Sequence, residues 1–167
     1  PVFREFLERY PSLDELSAAS REDVGEVLRP LGLSWRADRV YETSQALRDE
    51  FDGEVPRSRE SLMSLPGVSQ YIAGAVRCFS YGEPEALIDT NTVRITGRLF
   101  GLEVKSSSRR NSRFQSLIHH LSDSDKPRLY NFSFLDLGAE ICTSRSPDCP
   151  SCPLTKLCRH GQQVTSA

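Results

Sequence analysis

One methionine, one tryptophan and three histidines are all that 167 residues hold of these types. No apolar run approaches the roughly 18 residues that suggest a bilayer span, and no signal peptide is visible. A soluble, non-membrane protein of the cytoplasm is therefore expected. Charge of one sign is also lacking: the net charge is −2, so overall electrostatics make no case for nucleic acid. Nowhere do apolar residues alternate as in a half-buried strand, which points to an all-α chain. The histidines offer no ligand set, since His119 and His120 stand together beside a helical stripe and read as surface residues. The sequence has no initiating Met. It begins Pro1-Val2-Phe3 inside an amphipathic pattern, as a trimmed chain or fragment would.

What is present is unevenly placed. Residues 1–55 carry 7 basic and 13 acidic side chains, and residues 56–167 carry 14 and 10. A surface for a polyanion is therefore expected on the second half, from Arg57 and Arg59, from Lys105, Arg109, Arg110 and Arg113, and from Arg145, Lys156 and Arg159. The first half reads as helices. Phe3, Phe6, Leu7 and Tyr10 share one face. Ser20 with Asp23 makes a variant capping box before the stripe Val24, Val27, Leu28 and Leu31. A longer helix with Ala37, Val40, Tyr41, Leu47 and Phe51 inward stops at Asp52-Gly53, and Trp35 is expected to pack.

The central stretch is 61–94. Leu62, Met63 and Leu65 end one helix at Pro66-Gly67-Val68-Ser69. The next helix has Val68, Tyr71, Ile72, Ala75, Val76 and Phe79 at helical spacing, and Ile88-Asp89-Thr90-Asn91 opens a third. Gly67 permits a turn whose amides face outward, where they could hold a phosphate without reading sequence. The same residues also suit an ordinary turn between two helices. Asp89 by itself suits a helix N-cap.

The tail reads Cys142-x6-Cys149-x2-Cys152-x5-Cys158, four soft ligands in a short span. Disulfides are disfavoured in an intracellular chain, and the Cys-x2-Cys pair suits zinc. Cys78, off this cluster, is expected to pack in the core.

Together these features resemble the helix-hairpin-helix DNA glycosylases, the endonuclease III and MutY superfamily, over nearly the whole chain. The carriers are Leu65-Pro66-Gly67-Val68, the apolar pair before Asp89, the segment 130–142 and the three cysteine gaps. One departure is Ser69, where the family has a second hairpin glycine. The resemblance implies a helical barrel domain over 1–101, with the hairpin motif at 58–82 and its first helix missing. A second domain over 102–167 would carry the cluster loop at 142–158. It implies a [4Fe–4S] cluster on Cys142, Cys149, Cys152 and Cys158, and DNA contacts from Leu65, Gly67, Val68, Ser69, Arg145 and Lys156.

For Asp89 the resemblance implies the catalytic carboxylate. Breaking an N-glycosidic bond puts positive charge on the sugar, which a carboxylate stabilises, or it activates a water. The target base must first leave the stack. Relatives that also nick the strand carry Lys at position 71. Tyr71 here resembles the mismatch-specific thymine/uracil enzymes, with Gln70 and Tyr71 as the base pocket. The expectation is a prokaryotic, nucleoid-associated, monomeric and monofunctional glycosylase. It would act on double-stranded DNA with a mispaired base, thymine or uracil opposite guanine. The alternatives are an adenine glycosylase acting opposite 8-oxoguanine or guanine, suggested by Ile72-Ala73-Gly74-Ala75, a non-catalytic DNA-binding module, and a zinc-stabilised helical adaptor. That the chain stops soon after Cys158 weighs against the adenine type, which uses a further C-terminal domain.

Overall fold

Polar caps set most helix boundaries. Ser12, Ser20 and Ser58 each accept a hydrogen bond from the backbone N–H three residues on, so helices start directly after them. The computed structural model describes residues 1–32 and 34–165, Thr165 by its backbone alone. Its α-helices are α1 (Val2–Arg9), α2 (Leu13–Ala18), α3 (Arg21–Leu28), α4 (Ser34–Glu50), α5 (Arg59–Ser64), α6 (Gln70–Phe79), α7 (Thr90–Phe100), α8 (Ser112–Leu121), α9 (Pro127–Asp136) and α10 (Arg159–Thr165). Among the described residues there is no strand, so the all-α class holds. None of these helices is long and apolar enough to cross a membrane.

The chain divides into two units, Pro1–Ala73 and Gly74–Ala167. In the first, α3 and α4 pack on each other, with α1 on α3 and α2 on α4. Tyr10, Val24 and Val27 form the core, flanked by Phe6, Leu16, Leu28, Val40 and Tyr41. Full burial of each such side chain is worth about 1.5–3 kcal/mol. Ser20 both accepts from the Asp23 amide and donates to its carboxylate at 2.6 Å, which holds the Asp23 carboxyl below the usual range, helped by Arg9. The Gln45 amide and the Arg48 guanidinium both donate to the Ser17 carbonyl and tie α4 to the end of α2. Four expected core positions differ. Phe3, Leu7 and Leu31 are exposed, and Trp35 is 57 % exposed, because the α1, α3 and α4 stripes are satisfied by Phe6, Tyr10, Val24, Val27 and Ala37.

In the second unit α7 is the central helix, packed by α8, α9 and α10. Val93, Phe114 and Ile118 form its core with Ala86 and Ile88. Buried Gly97 lets the return strand of chain press on α7: a Cβ there would lie 2.2 Å from Val104 Cγ2. Asn131, almost fully buried, ties down the link before α7. Its amide donates to the Glu85 and Pro127 carbonyls at 2.7 and 2.9 Å and to Cys78 Sγ at 3.3 Å, and its oxygen accepts from Leu87 N–H at 3.1 Å. Cys78 is wholly buried, as a packing residue should be. The end of α9 widens into a π-turn, Leu137–Ile141, which delivers Cys142.

Candidate active site and nucleic-acid interface

The hairpin is built on α4. Thr43 donates its hydroxyl to the Pro66 carbonyl at 2.7 Å. Gly67 sits at φ +77°, and a Cβ on it would lie 2.9 Å from Arg39 Cβ, so both its backbone and its lack of a side chain are required. Leu65 is buried and accepts from the Val68 amide at 3.2 Å, closing the turn. The Val68 amide is therefore used inside the hairpin. The Gly67 and Ser69 amides make no hydrogen bond among the described residues and can meet an anion. Ser69 is not at positive φ, since Asp52 is the sole non-glycine residue there among those described. Serine in place of the expected glycine therefore costs no backbone strain. Its oxygen accepts from Ile72 N–H at 3.3 Å and caps α6, leaving the hydroxyl proton to donate.

Tyr71, expected on a buried stripe, is 37 % exposed, and Gln70 and Ile72 are exposed beside it, while Ala73 takes the core position. Filling the core is thus not what Tyr71 does.

Asp89 caps α7 through a full capping box. Oδ1 accepts from the Thr92 amide at 2.7 Å, Oδ2 accepts from the Asn91 side-chain amide at 3.0 Å, and the Asp89 amide donates to Thr92 Oγ1 at 2.9 Å. The cap and a charged role coexist: these bonds fix the carboxylate at the N-terminus of α7. Asn91 is seated because Gly138 has no side chain; a Cβ there would lie 2.9 Å from Asn91 Cβ.

Cys142, Cys149, Cys152 and Cys158 all line one cavity, with Arg98, Thr155, His160 and Gly161. Burial, and then the neighbouring Cys158, Cys142 and Cys152, push the Cys149 thiol up, while Arg98 pulls it down. Donors point at the sulfurs: Arg98 to Cys142 Sγ at 3.3 Å, and the Gly161 amide to Cys158 Sγ at 3.4 Å. Among the described residues no three donors gather tightly enough to grip a single ion. Arg145 and Lys156 lie exposed on this loop, and Leu157, next to Lys156, is 74 % exposed.

Two residues that sequence reasoning passed over hold the loop to α7. Arg94 donates to the Cys142 and Gly138 carbonyls, both at 2.9 Å. Arg98 donates to the Thr143 and Ser144 carbonyls at 2.6 and 2.9 Å. Their four-residue spacing marks one helix face. Their partners are backbone carbonyls more than 40 residues away, which leave no mark in the sequence.

Residues 50–79 match the helix-hairpin-helix motif. The chain is 38 % identical to the thymine-DNA glycosylase of Aeropyrum pernix over 163 residues, 94 % of this chain and 72 % of that protein. It is 37 % identical to the thymine/uracil-DNA glycosylase of Pyrobaculum aerophilum, covering 92 % of this chain and 68 % of that one. The solved structure of a thermostable thymine-DNA glycosylase superposes with a TM-score of 0.87 at 28 % identity, over 97 % of this chain and 75 % of that one. With the hairpin turn, the capped carboxylate and the four converging thiols in place, these likenesses make the chain a member of the helix-hairpin-helix DNA glycosylase superfamily, close to the thymine/uracil-DNA glycosylases.

Proposed function

We propose that this chain is a monofunctional base-excision-repair glycosylase that hydrolyses the N-glycosidic bond of thymine or uracil mispaired with guanine. The observation that carries the reading is Asp89. Its carboxylate is held at the α7 N-terminus by the Thr92 amide and by Asn91, in a chain whose relatives are named for this activity. An ionised carboxylate stabilises the cationic sugar as the bond to the base lengthens and orients the attacking water. The Gly67 and Ser69 amides bind a backbone phosphate and fix the register of the duplex without reading its sequence. Gln70 and Tyr71 supply an amide and a ring for an extruded pyrimidine.

Cys142, Cys149, Cys152 and Cys158 are the ligands we assign to a [4Fe–4S] cluster. A single zinc ion draws its sulfurs to about 2.3 Å from one point. The four thiols ring one cavity, and N–H donors reach two of the sulfurs, as suits a cluster whose sulfurs accept hydrogen bonds. When bound there, such a cluster would order the loop that carries Arg145 and Lys156, which we assign to duplex backbone contacts.

The test is base release from duplexes carrying G·T, G·U, A·8-oxoguanine and A·G pairs. Thymine and uracil should appear, and the adenine substrates should stay intact. Release of adenine alone would transfer the chain to the adenine enzymes, and no release from any duplex would leave a DNA-binding module.

A further inference from the structure

Trp35 is the single tryptophan of the chain, and its surroundings do not explain it as a packing residue. It lies in the first turn of α4 with more than half of its surface exposed. Leaving so large an apolar ring in water forgoes one of the largest burial gains a side chain offers. Its contact is Arg36, whose guanidinium carbon stands 5.4 Å from the ring centroid. Arg36 has no ion pair among the described residues. On α4 itself Asp38 is engaged by Arg21 at 2.8 Å and Glu42 by Arg39 at 2.7 Å, and Glu22 and Glu26 line a pocket with Ser34, Ala37 and Asp38. The first turn of α4 therefore presents an exposed aromatic ring with a guanidinium beside it.

Its position relative to the hairpin follows from helix geometry. Residues four apart lie on one face, so Trp35, Arg39 and Thr43 form a single row along α4. Arg39 is the residue whose stem lies against Gly67, and Thr43 is the one that holds Pro66. Trp35 is the next member of that row, one helical turn beyond the hairpin. We infer that Trp35, with Arg36, is a DNA-contacting residue that stacks on a base exposed from the duplex whose backbone the hairpin holds. The inference rests on the proposed DNA glycosylase reading. The chemistry is complementary on both counts: an aromatic ring stacks on any base, and a neighbouring arginine adds cation–π and phosphate attraction. A base whose partner does not match is the one most readily exposed.

Because no other tryptophan is present, emission excited at the red edge, where the tyrosines do not absorb, reports on this residue alone in the unaltered protein. A fluorescein-labelled duplex with a central G·T pair is titrated in, with label anisotropy reporting binding and tryptophan emission reporting stacking. Anisotropy should rise while emission falls steeply, and a fully paired duplex of the same sequence should quench less. Trp35→Ala should weaken binding roughly five- to hundredfold, and Trp35→Phe should restore most of it. Binding without any change in emission, or wild-type affinity in Trp35→Ala, would overturn the assignment of Trp35 and leave the glycosylase reading standing. A flat anisotropy with every duplex would overturn both.

Discussion

At the scale of the residue, we propose that position 71 decides where the chemistry stops. Strand nicking through an imine needs a primary amine placed at the sugar, and Tyr71 has none. Borohydride added during turnover should trap no covalent protein–DNA adduct with the wild type, and Tyr71→Lys should begin to trap one. Efficient trapping by the unaltered protein would show that another amine carries out a lyase step. Some residues were plain in the sequence, and others were not. Ser20 announced its cap, and the four cysteines, by their gaps, announced the one cavity they line. Ser69 was ambiguous because a serine oxygen can face a ligand or a helix end; the Ile72 amide sits within its reach, and that settles where its acceptor goes. Tyr71 was ambiguous because a helical stripe of six apolar residues is wider than the core it meets, so its edge is left at the surface.

At the scale of the element, α7 joins two kinds of chemistry on one helix. Its N-terminus holds the Asp89 carboxylate, and its middle sends Arg94 and Arg98 to the carbonyls of the cysteine loop. Hydrogen bonds from charged donors are worth roughly 1.5–3 kcal/mol each, and those to Cys142, Gly138 and Thr143 are part-buried. Arg98→Met keeps the bulk of the stem and removes those bonds. It should lower the melting temperature and release iron to a chelator faster than the wild type does; equal iron retention would show that the loop does not depend on Arg98. The helices themselves were readable from apolar period and caps, because both act over three or four residues. The fastening of the loop was not readable, nor was the π-turn that delivers Cys142. Both depend on which carbonyls a distant side chain can reach, and Gly138 reveals its purpose only when Asn91 is seen lying against it.

At the scale of the whole molecule, the chain is a DNA glycosylase, and we propose that a cluster orders its cysteine loop. Protein purified without oxygen should absorb broadly across the visible range and hold about four irons per chain. One zinc and no iron would instead favour the helical adaptor reading. The measurement that bears most directly on the central claim is single-turnover release of thymine from a G·T duplex by wild type and Asp89→Asn, side by side. Asparagine caps a helix about as well as aspartate, so the variant should keep its helical signal and melt close to the wild type. Removing the charge should slow release by about a hundred- to ten-thousandfold. Release at the wild-type rate from a folded Asp89→Asn protein would contradict the assignment of Asp89 and, with it, the mechanism.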